Sequence, residues 1–169
     1  MKNVLIATGP GFQDEEVIYP WYRFREEFKT DVVTSTDALC FGKYGCKIKP
    51  TIKMSELDGK KYDCIFVPGG HEGPDRVRQC KEILKCISFN YENGCLISTI
   101  CHGPWVLISA GITRGKKITG YIAIKDDVNN SGATYIESDL VEDQGIISSP
   151  HYDQNPILIK RTCEIINNS

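Results

Sequence analysis

Apolar positions in this chain fall in short runs closed by turn residues, with stretches of helical spacing between them. Val4 to Ala7 is one such run, bounded by Thr8-Gly9-Pro10-Gly11, and suits a central strand buried on both faces. From Glu16 to Phe28 the large residues Val17, Trp21, Phe24 and Phe28 recur at helical spacing, with Pro20 about one turn in, where it predicts a kink. Asp31 to Ser35 reads as a second strand. Cys46 to Lys53 alternates Cys46, Ile48, Pro50 and Ile52 with polar neighbours, the pattern of a half-exposed edge strand that tolerates proline. Cys64 to Val67 is a further buried strand, stopped by Pro68-Gly69-Gly70. A helix follows from about Asp75 to Asn93, with Gly94 as its C-terminal cap.

Cys95 to Ile100 is the next strand and Gly103 to Ala110 a helix closed by Gly111, so only Cys101 and His102 separate strand from helix. Short strands follow near Ile118 to Tyr121, Thr134 to Ile136, Leu140 to Glu142 and Ile146 to Ser148, and a last helix runs from about Pro156 to Ile166. Buried strands alternating with helices predict a mostly parallel sheet covered on both faces. With right-handed crossovers, the expected fold is a flavodoxin-like α/β/α sandwich of three layers, one domain over residues 1–169. Ligand sites in such folds lie at the carboxyl ends of the strands. Three loops converge there: Thr8 to Glu16, Pro68 to Asp75, and Cys101-His102.

Charge narrows the partners. The 20 basic and 22 acidic residues leave a net charge of -2, with no excess positive field to hold nucleic acid or an anionic membrane surface. No segment approaches the roughly 18 uninterrupted apolar residues of a membrane span, and the N-terminal apolar run is too short for a signal peptide. The eight cysteines include no C-x-x-C pair, which argues against a zinc ribbon or a thioredoxin-type motif. Eight reduced thiols in the cytoplasm, with no metal and no cofactor, is the resulting expectation.

Among those thiols Cys101 stands apart. Its place at a helix N-terminus predicts a lowered thiol pKa, whereas the other seven lie in strands, helices or loops, where cysteine is usually a small apolar residue. Adjacent N–H groups at such an elbow, together with a glycine turn after a neighbouring strand, can face one developing oxyanion, and Gly70 and His102 are the candidates. Because neighbours on an elbow point apart, His102 is either a base or a residue whose backbone alone matters. Glu16, at the start of the first helix, either complements the helix dipole or points into the pocket, where burial would keep its carboxyl protonated beside the sulfur.

The stretch Ile100-Cys101-His102-Gly103-Pro104, followed by Leu107-Ile108-Ser109-Ala110-Gly111 and Arg114-Gly115, closely resembles the nucleophile segment of the PfpI/ThiJ superfamily of intracellular proteases and protein deglycases. Glu16-Val17-Ile18-Tyr19-Pro20, Pro68-Gly69-Gly70, Asp75-Arg76-Val77-Arg78 and Ile124-Lys125-Asp126-Asp127 with Gly132 extend the resemblance over nearly the whole chain. It implies the class I glutamine amidotransferase-like fold, Cys101 as nucleophile, His102 as its partner, Glu16 as the acid touching the sulfur, and an oxyanion hole of Gly70 and His102. It further implies that Asp75 completes the site of a neighbouring subunit, hence a homo-oligomer, dimer or larger. Two departures stand out: Gln13 replaces a common acidic residue, and Ser149-Pro150-His151-Tyr152-Asp153 replaces an arginine-containing turn. In the related amidotransferases a histidine with an acid two residues later serves the cysteine from that position, so His151 is an alternative base.

Three functions compete. The first is a thiol-dependent hydrolase or lyase acting on small carbonyls or their protein adducts, or on peptides. The second is a redox sensor or chaperone using oxidation of Cys101. The third, an amidotransferase, is disfavoured because Thr99-Ile100-Cys101-His102-Gly103 lacks the G-x-C-x-G elbow.

Overall fold

The computed structural model describes residues 1–169. In chain order the elements are β1 (Asn3–Thr8), α1 (Asp14–Arg25), β2 (Lys29–Thr34), β3 (Cys40–Phe41), β4 (Lys47–Ile48), β5 (Cys64–Val67), α2 (Glu72–Val77), α3 (Lys81–Glu92), β6 (Leu96–Ile100), α4 (Pro104–Ser109), β7 (Lys117–Ile118), α5 (Lys125–Asn130), β8 (Thr134–Tyr135), β9 (Val141–Asp143), β10 (Ile146–Ser149) and α6 (Asn155–Asn168). The main sheet runs β2-β1-β5-β6-β10-β9, parallel except for β9 at its edge. Leu5 pairs with Ile65, Ile65 with Ile97, and Ile97 with Ile146, so the middle of the sheet is a row of branched apolar residues.

Alternation along β1 divides the core in two. Leu5 and Ala7 join Ile83, Ile87, Val106 and Leu107 from α3 and α4 on one face. Val4 and Ile6 join Val17, Phe24, Leu158 and Cys163 from α1 and α6 on the other. Both faces of the sheet are thus covered, giving the three layers of an α/β/α sandwich. No helix is long and apolar enough to cross a membrane.

Two elements depart from the sequence pattern. The helix expected over Asp75 to Asn93 is two helices, α2 and α3, separated where Cys80 adopts an extended backbone. Val77, Ile83 and Ile87 all reach the same core, and spacings of six and ten residues cannot place them on one stripe of a single straight helix. The edge strand expected over Cys46 to Lys53 is confined to β4, which pairs with β3 in a separate two-stranded ribbon. Pro50 has no N–H to extend a ladder; beyond it Thr51 and Ile52 donate to the Val32 carbonyl on the free edge of β2. Pro20 lies inside α1 without ending it. The short α5 follows no periodic signal in the sequence.

Candidate active site

Cys101 lies one residue past the end of β6, with φ of 59°, a left-handed conformation that a non-glycine residue rarely holds. The surrounding structure enforces it: the Cys101 N–H donates to the Ser149 carbonyl at 3.0 Å, and its own carbonyl accepts from Tyr121 N–H at 2.8 Å. Strain held in this way at the end of a central strand is the mechanical character of a nucleophile elbow. The sulfur is nearly buried, and the backbone N–H groups of Gly70 and His102 are directed at it.

Glu16 reaches the same point from α1. It is fully buried, its Oε2 accepts from Gly69 N–H at 2.7 Å, and its Oε1 has no partner apart from the adjoining sulfur. Burial raises the Glu16 carboxyl to about 8, against the opposing hydrogen bonds from Gly69 and Cys101. At neutral pH the group therefore holds a proton it can donate toward sulfur. Gly69 is required between them: a Cβ there would lie 2.5 Å from the Cys101 Cβ, 2.6 Å from Glu16 Oε2 and 2.9 Å from His102 N.

The expected lowering of the Cys101 pKa by the helix is not found. Burial, then the charge of an ionised Glu16, push the thiol up to about 12, while the Gly70 and His102 N–H groups pull it down. The helix that follows is only six residues long, and desolvation outweighs it. Because Glu16 is protonated at neutral pH, its repulsion of a thiolate is absent there.

The ring of His102 does not point away from its neighbour: Nδ1 lies 3.2 Å from the Cys101 sulfur. Tyr121 stacks on the imidazole at 5.0 Å and Trp105 meets it edge-on at 5.0 Å, fixing its plane. Burial, with the charges of His71 and Lys43, lowers the His102 pKa to about 4, so the ring is neutral at pH 7 and able to accept a proton. His151 stands in the wall of the same cleft, where Nδ1 is 3.1 Å from an Asp153 oxygen, but no hydrogen bond joins it to Cys101. Asp75 is exposed on α2, and no hydrogen bond or ion pair joins it to His102 or His151 within the chain.

Around the sulfur is a cleft of about 400 Å³ lined by Gln13, Lys43, Tyr44, Gly70, His71, Cys101, His102, Tyr121, His151 and Tyr152. All three histidines of the chain meet here. Sequence reasoning did not anticipate Lys43, Tyr44, His71, Tyr121 or Tyr152. Lys43 and Tyr44 arrive on the turn between β3 and β4, which carries no periodic signal; Asp14 secures that turn by accepting from Tyr44 N–H at 2.8 Å and Cys46 N–H at 2.7 Å. Burial works to raise the Asp14 pKa, and these hydrogen bonds outweigh it, leaving the carboxylate below its ordinary value. All eight cysteines are free thiols.

The pattern of the DJ-1/PfpI family matches residues 2–164. The chain is 35% identical over 150 residues to "Deglycase PfpI" of Pyrococcus furiosus, covering 88% of this chain and 90% of that protein. It is 37% identical over 150 residues to "Deglycase TK1284" of Thermococcus kodakarensis, with the same coverage. YraA of Bacillus subtilis, whose name proposes a cysteine protease, is 31% identical over 150 residues, 88% of each chain. Among solved structures, a two-domain protein of Anabaena variabilis with DJ-1/ThiJ/PfpI-like and ferritin-like domains superposes with a TM-score of 0.92 at 29% identity, over 98% of this chain and 50% of that one. The present chain thus spans about half of that two-domain protein. Drosophila melanogaster DJ-1beta shares the fold, with a TM-score of 0.91 at 23% identity over 98% and 90% of the two chains.

Proposed function

The chain belongs to the DJ-1/PfpI family, and on that premise we propose that it is a Cys101-dependent hydrolase or lyase for small reactive carbonyls or their protein adducts, with glyoxalase or deglycase chemistry. The observation that carries this reading is the convergence on one strained sulfur of a protonated carboxyl, two backbone N–H groups and a neutral imidazole at 3.2 Å. The names of the archaeal relatives favour the same activity.

In this scheme the thiol proton passes to His102 Nδ1 as sulfur attacks an aldehyde carbon. The carbonyl π bond breaks, and its oxygen gathers negative charge opposite the Gly70 and His102 N–H groups. With methylglyoxal, the resulting hemithioacetal loses the proton on its first carbon while the neighbouring ketone carbon gains one. One carbon is oxidised to a thioester and the other reduced to an alcohol, so no external oxidant is needed. Water then cleaves the thioester, releasing a hydroxy acid and restoring the thiol. Asp75, exposed on its own subunit, is placed in this reading beside the site of a second copy.

A cleft of about 400 Å³ fits a small carbonyl better than a folded polypeptide, so peptide cleavage ranks second. The test is consumption of methylglyoxal, with a fluorogenic peptide in parallel, by the wild type and Cys101→Ser. Carbonyl loss that disappears in the variant supports the proposal. If neither substrate is consumed in a Cys101-dependent way, the hydrolase reading fails and Cys101 is better understood as a redox sensor.

A further inference from the structure

We infer that Lys43 forms an anion-holding subsite that makes the cleft selective for carbonyl compounds carrying a carboxylate close to the reacting carbon. This rests on the reading that Cys101 attacks a carbonyl, and it adds the charge of the molecule attacked.

The cleft lining holds one lysine, three imidazoles and three tyrosines, but no carboxylate. Each nearby acid is otherwise engaged. Asp14 accepts from the backbone of Tyr44 and Cys46, Glu15 from Gln13 Nε2 at 2.7 Å, Asp127 from Trp105 Nε1 at 3.0 Å, and Asp153 faces His151. Glu16 is buried behind the sulfur. The Lys43 ammonium has no ion pair or hydrogen-bond partner; its one side-chain neighbour of note is the Tyr44 ring, 5.6 Å away.

The backbone fixes where this cation is delivered. Lys43 N–H donates to the Phe12 carbonyl at 2.8 Å, and Gln13 N–H donates to the Gly69 carbonyl at 3.3 Å. The turn bearing Lys43 is thereby stitched to the glycine pair that touches Cys101. Lys43 also lies close enough to His102 for its charge to depress that ring's basicity. An aldehyde carbon at the sulfur with a carboxylate one bond away would hold its negative charge within the cleft that Lys43 lines, where no side-chain carboxylate offsets the ammonium.

Alkylation of Cys101 separates this claim from the turnover claim. Iodoacetate and iodoacetamide both form a carbon–sulfur bond with loss of iodide, and they differ in carrying a carboxylate or a neutral amide. Rates at the Cys101 peptide are read by mass spectrometry on the full chain for wild type, Lys43→Met and Lys43→Arg. The expected result is that Lys43→Met lowers the iodoacetate-to-iodoacetamide ratio at Cys101 roughly three- to tenfold, that added salt shrinks the difference, and that Lys43→Arg restores it. The ratio at the half-buried Cys80, between α2 and α3 and off the turn that bears Lys43, serves as an internal reference for charge effects elsewhere on the surface. An unchanged Cys101 ratio in Lys43→Met overturns the subsite. In parallel, methylglyoxal consumption is followed with glyoxylate present: glyoxylate adds to the thiol through its aldehyde carbon but has no neighbouring ketone to be reduced, so it should act as a reversible competitor, roughly three- to tenfold weaker against Lys43→Met. If methylglyoxal is not consumed while the alkylation ratio still depends on Lys43, the enzymatic reading fails and the anion subsite stands.

Discussion

Replacing Glu16 by glutamine is expected to stabilise the protein, and to do so only above acidic pH. Glu16 is fully buried, and burial raises its pKa from the ordinary 4.5 to about 8. The folded protein thus keeps a proton that the unfolded chain releases near pH 4.5. A group raised on folding supports the fold fully below its unfolded pKa and loses that contribution as the pH climbs to its folded value. The span of about 3.5 pH units, at about 1.36 kcal/mol each, sets a ceiling of about 5 kcal/mol, of which relaxation of the site leaves a few. Glutamine keeps the size and shape, still accepts from Gly69 N–H, turns an amide toward sulfur, and cannot ionise. Thermal melts of wild type and Glu16→Gln should therefore coincide near pH 4 and separate up to pH 8, where the variant melts on the order of 10 °C higher. A separation that does not widen between pH 4 and 8 would refute the reasoning, because a pH-independent difference cannot come from a proton bound at Glu16.

Gly69→Ala tests the other side of the same contact. The added carbon would lie 2.5 Å from the Cys101 Cβ, so the turn must retreat by about 1 Å; displacement on that scale costs about 100-fold in turnover, with about 1–3 kcal/mol of stability. Wild-type kcat/KM in a folded Gly69→Ala would sink it. The two candidate bases are separated by kinetics. His102→Ala should lower turnover by roughly 10²–10⁴-fold, and His151→Ala should leave it near wild type. In the wild type, kcat/KM should fall as the pH drops through about 4, where the His102 ring takes up its proton; a larger loss in His151→Ala than in His102→Ala would reverse the assignment.

The parts of the fold legible in the sequence were those governed by local pattern. Runs such as Val4 to Ala7 and Cys64 to Val67 can hardly be anything but strands buried on both faces, and the two-residue gap between Ile100 and Gly103 forces a sharp elbow. The break in the helix between Asp75 and Asn93 was not legible, because Val77, Cys80, Leu84, Ile87 and Tyr91 fit one helical face and no glycine or proline marks the extended backbone at Cys80. Within the site, Cys101, Glu16 and Gly70 could be placed at one sheet edge because each ends or begins an element there. The approach of His102 Nδ1 to the sulfur depends on Tyr121 and Trp105 clamping the ring, a contact between residues 3 and 19 positions away that no periodicity signals. Lys43 and Tyr44 sit on a turn held by Asp14 from another element, so their arrival at the cleft is a tertiary fact. The thiol pKa went the opposite way from expectation because a helix terminus is visible in sequence and the depth of burial is not.

The central claim is that one thiol of eight carries the chemistry. It is tested most directly by treating the folded protein with limiting iodoacetamide, measuring residual carbonyl turnover, and quantifying alkylation of each cysteine by peptide mass spectrometry. Activity should fall in one-to-one proportion to modification of Cys101, whatever the extent of labelling at exposed Cys46. Turnover that persists with Cys101 fully alkylated would contradict the account.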